Sequence, residues 1–504
     1  GAAANLAALM GKDATARKIA TAVCRDCLNR LNDPDERRHA EYYLTATLAE
    51  AYLILNDYEK AHKCYRRTGL LGKGLYQDLQ ATRKNARFLI EHFSIDGTGI
   101  EKALRLPGVA VLISDGLTDR DRPGRKSSAE LSGYIDASVQ RLSRLLARKG
   151  IGIGFSSAKA GYDLCFLQAL REKEAEAYIV MPFNRERFVP ACLENTQDSI
   201  WKGIFEERFS ALASEGRVSY ASEWPIGKAR DIFFYANQHL VGLAMLKARQ
   251  LDTRLWLISA AGAGAAIEES PTHETLRWLK SVGYAGETIV LPDPGAARTS
   301  RETEKGPCPR EEASDQSFPT HIMAIFFADV VGYSKMHEGY VPRFVKEFMG
   351  AIADFIDHSP CQPETRNTWG DAFYFVFRDV RDAGVFALEI ADIVSRTSWE
   401  ERGLPKDLNL RISLHAGPVF QCIDPVTRRE MYTGGHVSRA ARIEPITPPG
   451  QVYCSQAFAA LAAACQIREF SCEYVGKVNY AKGYGKFSTY RVRRNYGPRG
   501  GKRD

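Results

Sequence analysis

Two carboxylates, two cations and one hydroxyl in the last third of the 504-residue chain have the types and spacing to act on a phosphate. Asp329 ends the apolar run "HIMAIFFADV" and leads straight into a turn at Val330-Val331-Gly332-Tyr333. Asp371 follows Gly370 at the bend of "RNTWGDAFYFVF" (366–377), ahead of alternating Phe373, Phe375 and Phe377. Each acid stands at a strand–turn junction of one small domain, so the two can meet at one point. Hard divalent cations take oxygen ligands, and Mg²⁺ binds through one or two carboxylates together with substrate phosphates. Two ions that share carboxylates activate an attacking oxygen and neutralise a leaving phosphate. Singly, an Asp after a strand is an ordinary cap and a Gly-Asp an ordinary turn. Two further stretches add to them. In "GGHVSRAARIEPITPPGQVYCSQ" (434–456), Ser438 and Arg442 fall one turn apart on one helix face. In "YVGKVNYAKGYGKFSTYRV" (474–492), Lys482 precedes a glycine turn between strands. An arginine and a lysine aimed at two metal-bound carboxylates make a phosphate site.

The elements that must position these residues are short. "HIMAIFFADV" reads as a strand, "RNTWGDAFYFVF" as a strand pair, and "NLRISLHAGPVF" (409–420) as an alternating strand ending in Ala416-Gly417-Pro418. The four stretches, in this order and spacing, resemble the class III nucleotidyl cyclase catalytic domain over residues 320–492. The resemblance implies a ferredoxin-like α/β domain working as a head-to-tail homodimer with active sites at the interface. It implies two Mg²⁺ or Mn²⁺ ions held by Asp329 and Asp371, with the Val330 carbonyl near a metal and Gly332 and Tyr333 in the adjoining substrate turn. Arg442 would come from the partner subunit to the α-phosphate, and Lys482 would hold the β- and γ-phosphates. The ribose 3′-oxygen attacks the α-phosphorus and pyrophosphate leaves.

The likeness breaks at three positions. Asn367 stands where the family's purine-reading lysine falls, Met431 where its partner acid falls, and Ser438 where the ribose-contacting asparagine falls. Asn offers a donor and an acceptor and Met offers shape and polarizability, so no charged pair for adenine is present. A pyrimidine triphosphate is the first alternative, as in bacterial anti-phage pyrimidine cyclases of the same class. His436, Arg439 and Arg366 are further polar candidates for base reading, with His436 expected exposed on its turn. Ser438 is shorter than Asn and would reach a ribose through water, which predicts a slow or conditionally activated enzyme. A catalytically weak cyclase-fold nucleotide sensor or dimerisation module is the competing reading.

Upstream, residues 1–100 read as helices. "AEAYLILNDYEKAHKCYRR" (49–67) repeats apolar residues at helical spacing on both sides of an Asn56-Asp57 turn and resembles one tetratricopeptide unit. Cys24 and Cys27 read as two thiols one turn apart, since no second pair stands at zinc spacing. From 105 to 292 strands alternate with helices, which predicts a parallel, doubly wound sheet with ligands beyond the strand carboxyl ends. That places a possible second ligand site at Ser114, Asp115, Ser156 and Ser157. Their loop of small residues could cradle an anion, or, with Asp163, serve a hydrolase, though no nucleophile–base set stands among them. The stretch "AGYDLCFLQALREKEAEAYIVMPFNRERF" resembles the Rossmann-like module, similar to the SLOG class of nucleotide sensors, joined to tetratricopeptide helices in some bacterial signalling cyclases. The resemblance implies that a small-molecule or protein activator acts at the N-terminal domains.

Residues 293–319, poor in large apolar side chains, read as a flexible linker, and 495–504 as a disordered basic tail. At 45% hydrophobic and 26% charged the composition is that of a multidomain globular chain. The net charge of +7 suits an anionic substrate, and no aromatic-interleaved basic stripe marks a nucleic-acid binder. Eleven scattered cysteines and no membrane-length apolar run or signal peptide predict a cytoplasmic protein.

Overall fold

The computed structural model describes residues 2–116, 128–194, 199–223, 229–261, 270–292 and 318–495. Residues 293–317 of the linker expected at 293–319, and 496–504 of the tail expected at 495–504, lie outside them. The chain divides into two compact units. The first is Gly1–Val109 with Gly150–Gly152 and Lys247–Arg254, and the second is the remainder.

The first unit is helical: α1 (Ala2–Leu9), α2 (Asp13–Asn32), α3 (Pro34–Ile54), α4 (Tyr58–Leu71), α5 (Tyr76–His92) and α6 (Thr98–Ala103). Helices α3 and α4 meet at the turn expected there. Asn56 takes a left-handed φ of 64°, and Asp57 caps α4 by accepting from the Lys60 amide at 3.2 Å. Cys24 and Cys27 are free, buried thiols on α2.

The second unit holds two sheets. The first runs β4-β3-β2-β1-β5-β6, built from β1 (Gly108–Ser114), β2 (Ile151–Ser156), β3 (Glu176–Met181), β4 (Val218–Tyr220), β5 (Leu255–Ala261) and β6 (Thr288–Pro292). The β2–β3, β3–β4 and β5–β6 pairs are parallel. Its helices are α7 (Ser128–Lys149), α8 (Tyr162–Glu172), α9 (Arg185–Val189), α10 (Ser199–Ser214), α11 (Ala229–Leu251) and α12 (Pro271–Ser281). Strand order reverses between β1 and β5, so the crevice beyond their carboxyl ends is where such sheets take ligands.

The second sheet runs β13-β14-β12-β10-β7-β9-β8, with β11 paired to β10. Its strands are β7 (Thr320–Val330), β8 (Thr365–Trp369), β9 (Ala372–Phe377), β10 (Leu410–Ile423), β11 (Glu430–Thr433), β12 (Val452–Ser455), β13 (Phe470–Tyr480) and β14 (Gly485–Arg494). The helices are α13 (Val341–Arg343), α14 (Gly350–His358), α15 (Val380–Arg396), α16 (Gly435–Ile443) and α17 (Gln456–Ala464). The antiparallel order β10-β7-β9-β8, with helices after β7 and β9, is the split βαβ arrangement expected of a ferredoxin-like domain. Strict alternation on β7 and β9 sorts the side chains. Ala324, Phe326, Ala328, Phe373, Phe375 and Phe377 enter one core with α15, whose Phe386, Ala387 and Ile390 recur at helical spacing. Met323, Ile325, Tyr374 and Val376 form a smaller core on the other face, against Ala440 of α16.

Candidate functional site

Asp329 is the last residue of the smaller-core face of β7, two places beyond Phe327 and four beyond Ile325. Its neighbour across β7–β9 is Ala372, and across β7–β10 it is Arg411. Asp371 sits beside Ala372 in the two-residue turn that joins β8 to β9. The turn is tight because Gly370 takes a φ of +64°, a conformation that favours glycine. The two acids therefore converge at one sheet corner. Burial raises the Asp371 carboxyl first, and the nearby Asp329 charge raises it further. Gly332, at φ +85°, turns the chain away immediately after the strand.

The cation beside these acids is Arg411. Its Nη2 donates to Asp329 Oδ2 at 2.5 Å, and its Nε lies 2.8 Å from Glu444 Oε1 in an ion pair. Burial pushes the Glu444 carboxyl up to about 7 against the pull of Arg411. Two carboxylates, Asp329 and Glu444, thus share one guanidinium. Neither Arg411 nor Glu444 was singled out from the sequence. The alternation Arg411, Ser413, His415 against Leu410, Ile412, Leu414 shows a polar strand face. Only the register places Arg411 opposite Asp329.

Ser438 is exposed on α16 and Arg442 stands in its last turn. Lys482 is exposed between β13 and β14 with a left-handed φ of 58°. Among the described residues neither Arg442 nor Lys482 has an ion pair or side-chain hydrogen bond, and within this chain Arg442 does not pair with Asp329 or Asp371. Asn367 is half-buried on β8 opposite Tyr374, whose hydroxyl donates to the Tyr432 carbonyl at 2.8 Å, next to Met431. Trp369, overlooked in the sequence, shares the sheet face of Asp329. It is 60% exposed and lies parallel to Tyr374 at 5.9 Å.

Two sequence expectations are corrected. His436 is not exposed on its turn but 5% exposed, because it packs on Gly417 and bonds His415 Nε2 through Nδ1 at 2.8 Å. Arg439 and Arg366 are engaged elsewhere: Arg439 with Glu223 at 2.9 Å, Arg366 with Asp357 at 3.0 Å and Gln362 at 2.6 Å.

The second candidate site lies at the carboxyl ends of β1 and β2. Ser114, Ser156 and Ser157 come together on the buried Asp163. Ser114 Oγ and Ser157 Oγ donate to its carboxylate, the latter at 2.5 Å, and Ser156 Oγ donates at 3.2 Å. The buried Lys159 donates to the Ser114 carbonyl. Asp115 stands apart, accepting from the Thr272 amide of α12 at 3.2 Å.

No helix among the described residues is long and apolar enough to cross a membrane. Guanylate cyclase 2G of Mus musculus is 31% identical over 159 residues, 29% of this chain and 14% of its own length. The Rattus norvegicus counterpart is 29% identical over 153 residues, 28% of this chain and again 14% of its own. The chain thus spans about a seventh of these curated relatives. Among solved structures, the guanylate cyclase domain of RhGC from Catenaria anguillulae in complex with GTP is 19% identical, covering 35% of this chain and 100% of that one, with a TM-score of 0.31. The adenylyl cyclase CyaB from P. aeruginosa is 16% identical over 36% of this chain and 98% of that one, also with a TM-score of 0.31. The sheet that carries Asp329 and Asp371 lies within residues 316–494, and those residues match the family model of the adenylate and guanylate cyclase catalytic domain.

Proposed function

We propose that the C-terminal domain is a nucleotidyl cyclase that converts a nucleoside triphosphate to a 3′,5′-cyclic nucleotide and pyrophosphate. The observation that carries this reading is the convergence of Asp329 and Asp371 at one sheet corner, in a domain that matches the cyclase family. Their oxygen donors fit a hard divalent cation, Mg²⁺ or Mn²⁺. Among the described residues no three His, Cys, Asp or Glu side chains are grouped to hold a metal. Asp329, Asp371 and the Val330 carbonyl would therefore share the ions with substrate phosphate oxygens. A bound ion pair lowers the charge on the α-phosphate and favours the 3′-alkoxide.

The chain's own residues do the rest. Asp329, oriented by the hydrogen bond from Arg411, and Asp371 fix where the triphosphate lies. Gly332 and Tyr333 shape the turn beneath it. The 3′-oxygen bonds to the α-phosphorus after losing its proton, and the bond to pyrophosphate breaks. Arg442 and Lys482, unpaired within this chain among the described residues, suit a head-to-tail homodimer in which the partner's cations meet the phosphates. Ser438 would reach the ribose, and Asn367 and Met431 would meet the base. Lacking a charged reading pair, this site suits a pyrimidine as well as a purine. Such an enzyme would serve signalling or anti-phage defence, under control of the N-terminal domains.

The test is to incubate the full chain with ATP, GTP, CTP and UTP and Mn²⁺, and to identify pyrophosphate and cyclic monophosphate by mass. One nucleotide yields product, and Asp371→Ala reduces it roughly a hundredfold or more. Binding of nucleotide without any product would favour the sensor reading instead.

A further inference from the structure

The two sheets of the second unit are joined at α16. Ala221, Tyr235 and Ala236, which belong to the first sheet's part of the chain, lie in the main core of the second sheet's domain. Tyr235 Oη donates to the Ala416 carbonyl of β10 at 3.2 Å. Gly242 of α11 lies so close to α17 that a Cβ there would come 2.0 Å from the Ala460 carbonyl oxygen. The two residues that follow Ala221 reach the helix bearing Ser438 and Arg442. Ser222, 3% exposed, lies 3.3 Å from His436 Nε2. Glu223 Oε1 accepts from Arg439 Nη2 at 2.9 Å.

These contacts belong to one continuous chain of polar groups. Ser222 meets His436, His436 meets His415, and His415 Nδ1 meets Ser455 Oγ at 2.6 Å. Ser455 in turn caps α17 by accepting from the Phe458 amide at 3.2 Å. A neutral imidazole has one donor and one acceptor. Two neutral histidines in series therefore transmit a single hydrogen-bond direction from Ser222 to Ser455, and a change at one end must be met along the whole row. On the sheet side, Ser413 Oγ donates to the Ala440 carbonyl at 3.0 Å, so α16 is held between β10 and the 222–223 segment. Arg439 completes the grip, with its guanidinium 5.2 Å from the Phe487 ring on β14.

We propose that Ser222 and Glu223 are positioning residues for the cyclase reaction. By gripping His436 and Arg439, they set where Ser438 and Arg442 stand on α16. Whatever ligand or partner the first sheet's domain takes thus acts on turnover through this helix. This rests on the cyclase reading, but the grip itself is testable without it.

The experiment uses the full chain with Ser222→Val and Glu223→Ala combined, and Glu223→Asp as the conservative variant. Hydrogen exchange of the α16 amides (435–443) is followed beside steady-state turnover of the nucleotide that wild type cyclises. The expected result is α16 exchange faster by roughly tenfold, with 323–330 and 372–377 unchanged. With it, kcat falls roughly tenfold while KM stays within about twofold, and the Glu223→Asp chain, which keeps Ser222 and a carboxylate for Arg439, stays near wild type. Unchanged α16 exchange, or exchange that rises across β7 and β9 as well, overturns the proposal. Faster α16 exchange in a chain whose wild type cyclises no nucleotide would uphold the grip and defeat the catalytic reading.

Discussion

At the scale of single residues, Arg411 decides the state of the acidic corner. Asp329 and Asp371 meet at the sheet corner, and Arg411 is the cation that bonds Asp329 and pairs with Glu444 beside them. Replacing Arg411 by Met leaves like charges facing each other in a partly buried site. The loss is expected at about 1–3 kcal/mol, below that of a fully buried pair because the Arg411 side chain keeps 30% of its exposure. Divalent cations should recover part of it. The check is the thermal midpoint of Arg411→Met with EDTA and with Mn²⁺. A wild-type midpoint that responds to Mn²⁺ as strongly as the variant's would mean that Arg411 does not stand in for a cation. Trp369 belongs to this scale too. Its exposed ring stands on the Asp329 face, so Trp369→Ala is expected to leave the stability within about 0.5 kcal/mol of wild type. Denaturation of the two chains side by side checks it.

At the scale of elements, α11 approaches α17 closely at Gly242. Gly242 is there because the Ala460 carbonyl leaves no room for a side chain. Gly242→Leu should separate the helices and lower stability by about 1–3 kcal/mol or more. Gly242→Ala should give a smaller change of the same sign. Thermal melts of both variants, with Gly203→Ala as a control whose Cβ meets nothing within 4 Å, would show whether the close approach is real. A Gly242→Leu chain as stable as wild type would contradict it. Helix α16 is short for a local reason: it ends at Ile443 because Pro445 has no backbone N–H to continue it, and that stop leaves Glu444 beside Arg411.

At the scale of the whole molecule, three buried histidines tie stability to pH. Burial pushes His239 down to about 4 and His436 down to about 3, and holds His415 well below its usual value. Arg439 lowers all three further. In the unfolded chain each titrates near the ordinary value of about 6.5. Above that pH both states are neutral and stability is fully present. Below it the unfolded chain binds protons that the folded chain refuses, so stability falls as pH drops from about 6.5 towards about 3. Each histidine contributes on the order of 1 kcal/mol per pH unit in that window. The thermal midpoint should therefore fall between pH 7 and pH 5, and less so in His239→Phe. A flat profile would mean that these imidazoles are protonated in the fold.

The sequence by itself determined the strands, the turns and the identity of the acids. Alternation in "HIMAIFFADV" and "NLRISLHAGPVF" and the glycine turns at 332 and 370 follow from local backbone physics that neighbours in the chain can express. The ferredoxin-like arrangement of the C-terminal domain was implied by the resemblance of four stretches, taken together, to a known family. What only the tertiary structure decided is what faces what. The β7–β10 register set Arg411 opposite Asp329, and the end of α16 brought Glu444 beside it. The fate of His436 was beyond local reading as well, since a glycine-flanked histidine looks solvated until Gly417 and Ser222 close over it. Those pairings join residues on different elements, up to 214 positions apart, and nothing in the spacing of a single stretch encodes them.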